Sequence, residues 1–144
     1  MAIYPWMITF TDITDQTIKK LTDQYLTSRP DLSNNYYDLT ATEFISFINS
    51  FGVDVTSMNN QDRTTRPVHY LVTQWLINCF CKRVSQDIIG FNNDDMLNDK
   101  WKYKYNIYKD ELKNLASKMT YEIILSGTMQ NNYTRSANTF DIMI

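Results

Sequence analysis

One stretch constrains the fold more than any other. Val68-His69-Tyr70-Leu71-Val72-Thr73-Gln74-Trp75-Leu76-Ile77-Asn78-Cys79-Phe80-Cys81 lies between Pro67 and Gly90 and is apolar almost all round a helix. A helix of that kind is surrounded by protein, so the rest of the chain must cover it. Pro67 suits a first helical position and Gly90 an end. The polar exceptions, Gln74, Asn78 and Ser85, fall on one side. The segment is expected to be the central helix of a bundle.

The covering elements are legible from caps and spacing. A first helix is expected from Thr14 as N-cap, with Ile13 and Ile18 as a hydrophobic staple. Ile18, Leu21 and Tyr25 continue it, and Pro30 is expected to stop it. Residues 30–39 read as a loop. Thr40 and Glu43 then form a capping box. Phe44, Ile45, Phe47, Ile48 and Phe51 follow, and Gly52 suits the left-handed end. Residues 53–65 read as a second loop. Asn92-Asn93-Asp94-Asp95 reads as a turn that caps the last long helix. In that helix Leu97, Trp101, Tyr105, Tyr108, Leu112, Leu115 and Met119 keep to one stripe roughly 80° wide. Thr120 is expected to cap a final turn, Tyr121 to Ser126, before Gly127. The predicted fold is mainly α, a small four-helix bundle over residues 1–126. It has an extended N-terminal lead at 1–12, either a strand or a docked arm, and an extended C-terminal arm at 127–144.

Composition narrows the function. The 144 residues include only three Gly and three Pro. No Gly-rich phosphate loop, GxGxxG or GxSxG elbow is present. No run of apolar residues is long enough to span a membrane. The N-terminus lacks a signal-peptide pattern, so an intracellular, reducing compartment is expected. The net charge of -2 and pI near 5.3 argue against a protein that coats DNA through a basic excess.

Candidate chemistry is sparse. His69 is the single histidine; a locally hydrogen-bonded, partly buried role is expected. Cys79 and Cys81 point about 200° apart on a helix and cannot share a metal there; core packing is expected. The Asp94, Asp95 and Asp99 cluster lacks the central Gly and closing Glu of a calcium loop. Asn132-Tyr133-Thr134 matches a glycosylation sequon, without a secretory signal to give it meaning. No catalytic residue, metal or cofactor is expected. Lys100, Lys102, Lys104, Lys109, Lys113 and Lys118 crowd the last long helix. Lys102, Lys109 and Lys113 are candidates for contact with phosphate or an acidic partner. Acids interleaved on the same helix favour an ordinary solvated face instead.

The order of elements carries a resemblance. A capped helix, a polar loop and a Pro-started apolar helix lead through an Asn/Asp turn to Asp99-Lys100-Trp101-Lys102-Tyr103-Lys104-Tyr105. The segment Tyr108-Lys109-Asp110-Glu111-Leu112 follows. Over residues 40–126 this resembles the head–tail connector (adaptor) proteins of tailed bacteriophages. The resemblance implies a structural virion protein of the neck, a homo-oligomeric ring, commonly twelve-fold, between portal and tail proteins. DNA would pass through it, and no membrane is involved. It also implies a C-terminal extension reaching a portal or neighbour. The arm's own pattern ends in alternating Phe140, Ile142 and Ile144, able to pair as a strand with another chain. That pattern offers Met129, Tyr133, Phe140, Ile142 and Ile144 as candidate interface residues. The alternative is a small helical binding or regulatory protein that uses the Lys/Tyr-rich helix on an acidic partner or nucleic acid.

Overall fold

The computed structural model describes residues 4–21, 30–91 and 95–127. These residues form a small helical bundle. A 3-10 turn at Phe10–Asp12 leads into α1, described over residues 16–21. Then come α2 (Pro30–Asn49), α3 (Val55–Met58), α4 (Tyr70–Phe91), α5 (Asp95–Lys118) and α6 (Tyr121–Ser126). Among the described residues the sole β pairing is an isolated bridge between Asp62 and Arg66.

The apolar helix is central, as its sequence requires. In α4, Val72, Leu76, Cys79, Phe80, Cys81 and Val84 are buried. Helix α5 returns along α4, and α2 packs on it from another side. Phe44 and Phe47 of α2 lie against Trp75, with ring centroids 5.4 and 4.9 Å apart. On α5 the predicted stripe is the packed face: Trp101, Leu112, Leu115 and Met119 are buried. Tyr105 and Tyr108 are half-buried.

Three helix starts differ from the sequence reading. Residues 30–39 are the first half of α2 and not a loop. Pro30 opens that helix, where its missing N–H and fixed φ cost nothing. Thr40 is therefore mid-helix and fully buried, and the Thr40/Glu43 capping box does not form. The first helix is capped by Asp15 rather than Thr14. Its Oδ1 accepts from the N–H groups of Thr17 (3.0 Å) and Ile18 (3.1 Å). Asp is the stronger cap of the two. Ile13 and Ile18 still enter the core, although the shifted cap removes them from staple positions. The central helix begins at Tyr70, not Pro67, because His69 caps it, and it runs to Phe91, one residue past Gly90. The expected end of the first helix and the Asn92–Asp94 turn lie outside the described residues. The loop at 53–65 contains α3, capped by Asp54 through the Thr56 N–H.

The lead is a docked arm, not a strand. Trp6, Ile8 and Ile13 are core residues. The Trp6 ring stacks on Tyr4 and tilts against Phe44, with centroids 4.7 and 5.0 Å away. Its Nε1 donates to Asn59 Oδ1 at 3.1 Å.

Of the three predicted glycine ends, Gly52 and Gly127 hold, while α4 runs through Gly90 to Phe91. At the end of α2 the Val53 N–H reaches the Ile48 carbonyl and the Gly52 N–H the Asn49 carbonyl, a Schellman closure with Gly52 at φ +78°. Gly127 has φ +69° and ends α6, whose N-terminus is capped by Thr120 through the Ile123 N–H. The surroundings of the two glycines differ. A Cβ at Gly52 meets nothing within 4 Å, whereas one at Gly127 meets the Pro67 carbonyl oxygen at 3.0 Å. Gly52→Ala carries only the left-handed backbone cost, about 1–2 kcal/mol. Gly127→Ala is expected to cost more than Gly52→Ala in chemical denaturation. Equal costs would show that the Gly127–Pro67 approach is relaxed in solution.

Candidate functional site

Most described groups with chemical potential are engaged in holding helices together. Asp15 is the busiest. Beyond capping α1, its Oδ2 accepts from Lys104 Nζ at 2.9 Å and from the Tyr108 hydroxyl. Burial alone raises a carboxyl pKa, but these donors and the Ile18 N–H outweigh it and hold Asp15 below its ordinary value. Burial together with Asp15 pushes the Tyr108 pKa up, and the buried Cys81 thiol of α4 adds to the shift. One chain of contacts thus joins α1, α5 and α4.

A second cluster joins α2 to α4. Glu43 accepts from Lys82 Nζ at 3.3 Å and from Arg83. Burial opposes its charge, yet the two cations win and keep its pKa low. The buried Cys79 thiol lies within the field of the same carboxylate. Burial, reinforced by Glu43, pushes that thiol up to about 12. Burial likewise pushes Cys81 up to about 12. Thiols so far from ionisation are poor nucleophiles, and the core role expected of both holds.

His69 is a cap. It is almost fully buried, and its Nδ1 accepts from the Leu71 N–H at 3.0 Å. Burial lowers its pKa, which keeps Nδ1 free of a proton and able to accept. The local hydrogen bond expected of it is present, one turn earlier than the sequence placed it. Near it, Gln61 Nε2 donates to the Ile124 carbonyl at 2.9 Å. Arg63 pairs with Asp12 at 2.7 Å. The Asp62 carboxylate, held well below its ordinary pKa by the Thr64 and Thr65 donors, knots the loop before α4. Among the described residues no group of three or more His, Cys, Asp or Glu is placed for a metal ion. No described helix is long and apolar enough to cross a membrane.

The candidate lysines separate from their neighbours. Lys104 is tied to Asp15. Lys102 and Lys113 are exposed, and Lys109 is half-exposed with its Nζ 5.9 Å from the Tyr105 ring centroid. All three share one flank of α5. Tyr103 and Ile107 stand exposed on an adjacent face. Met129, Tyr133, Phe140, Ile142 and Ile144, the other candidate contacts, and the Asn132 sequon lie outside the described residues.

Sequence reasoning missed Asp15. A capping Asp followed by Thr17 and Ile18 signals its local role, but nothing local signals partners on α5. Searches of protein-family models, curated proteins and solved structures find no match to this chain.

Proposed function

We propose that the chain is a non-enzymatic assembly subunit, forming a ring of the tailed-phage connector type between portal and tail, with DNA passing through. The observation that carries this reading is the use of the polar groups. Asp15, Glu43, His69 and Tyr108 each bond within the bundle, and Cys79 and Cys81 are buried in its core. The part of the sequence that resembles the connectors, 40–126, runs from the middle of α2 through α6. Gly127 itself is buried and close against Pro67, and residues 128–144 are the part of the chain proposed to reach another chain.

The purified chain is expected to form rings, seen by native mass and negative-stain imaging, alone or with a portal protein. Deleting residues 128–144 is expected to abolish rings while shifting the monomer's thermal midpoint by no more than about 2 °C. A strict monomer that ignores portals would favour the small binding protein instead. A large loss of monomer stability would place the deleted segment in the core.

A further inference from the structure

Lys102, Lys109 and Lys113 recur at steps of seven and four along α5. That spacing gathers them within about 40° of the helix circumference and over about 16 Å of its length. Asn106 and Ala116 complete the strip. Asp99 and Asp110 lie about 60° and about 80° to one side of its centre, so the strip itself carries cations and no acid from Lys102 to Ala116. Four other described cations are matched: Arg63 by Asp12, Lys82 and Arg83 by Glu43, and Lys104 by Asp15. None of the three strip lysines has such a partner among the described residues.

We propose that this strip is a contact for the phosphate backbone of duplex nucleic acid, without base readout. The inference rests on the ring reading and deepens it by naming the face turned toward the passing DNA. Three considerations favour a duplex. Lysine is a compact point charge suited to single phosphates. A duplex presents one charge about every 1.7 Å of its axis, so a straight strip finds phosphates in any register, whereas an acidic peptide must bring a matched array. Single-strand sites use exposed rings as stacking platforms, and the strip itself carries no ring: Tyr105, about 60° to its other side, sits half-buried. The net charge of -2 does not oppose the contact, because charges beyond about 8 Å are largely screened at physiological salt. Three contacts per subunit give a weak, salt-sensitive grip that permits passage.

The test compares two charge-matched double variants of the full chain. K102Q/K113Q removes two strip lysines, and K100Q/K118Q removes two from a different face. Binding of a labelled random 20-base-pair duplex is followed by anisotropy from low to physiological salt, with native mass in parallel. The slope of log affinity against log salt scales with the phosphates contacted, so K102Q/K113Q is expected to keep about one third of the wild-type slope. K100Q/K118Q is expected to keep nearly all of it. Equal weakening by both variants overturns the proposal, as does no duplex binding at low salt. Tighter binding of poly-glutamate than of the duplex reassigns the strip to an acidic protein and overturns it too. Rings that form without binding duplex defeat this inference alone. Strip-dependent duplex binding by a strict monomer upholds the strip and defeats the ring.

Discussion

Trp6→Ala is expected to destabilise the protein by about 3–5 kcal/mol, lowering the thermal midpoint by roughly 10–20 °C. The size follows from where Trp6 sits. It is wholly buried, with Tyr4 on one side, Phe44 on another and Asn59 on its indole N–H. Truncation opens a cavity bounded by α2 and loses a large apolar surface. The partner Asn59 is exposed and regains water, so the cost is mainly packing. Far-UV circular dichroism on heating measures it. A loss under about 1 kcal/mol would mean that the lead detaches in solution and that residues 4–13 are not core.

Asp15→Ala has the second large effect, roughly 2–4 kcal/mol. The helix cap accounts for about 1 of these. The rest comes from the Lys104 ammonium and Tyr108 hydroxyl, each left partly buried without its acceptor. The same contacts give a pH signature. The folded pKa of Asp15 lies below its ordinary 3.8. In the window between those values the unfolded chain binds the extra proton, so stability rises with pH there. The contribution is complete well above pH 3.8 and disappears as pH falls through the folded value. Asp15→Asn should therefore be clearly less stable than wild type at neutral pH and converge on it in acid. Denaturant unfolding at several pH values shows whether the gap closes. A gap independent of pH would assign the loss to geometry rather than charge.

The helices that cover α4 were legible where periodicity and punctuation agree. The α5 stripe, the Schellman end at Gly52 and the last turn before Gly127 all carry local signals that tertiary contacts do not override. Misreadings came from signals with two meanings. Pro30 marks a boundary, but a proline stops one helix and starts another with the same ring. Thr40 and Glu43 have capping-box spacing, yet Glu43 serves cations of α4. The correct row was present: Tyr36, Thr40, Phe44 and Ile48 recur every four residues and all are buried. The polar run Ser33-Asn34-Asn35 hid its continuation. Of the candidate site, the shared flank of Lys102, Lys109 and Lys113 follows from spacing once the helix is known. That Lys104 is neutralised does not, because its partner lies 89 residues away.

That separation in sequence also fixes an order of events during synthesis. Trp6 waits for Asn59, and Asp15 waits for Lys104 and Tyr108, 89 and 93 residues downstream. At about 5–20 residues per second, the beginning of the chain is outside the ribosome for roughly 5–20 s before its last partners emerge. Through that interval Trp6, Ile8 and Ile13 have no finished core to enter. The segment from Trp6 to Asp15 is seated only after partners far downstream have been made. A nascent chain arrested before Lys104 therefore holds Asp15 without its α5 donors, and pairing of that carboxylate reports completion of α5.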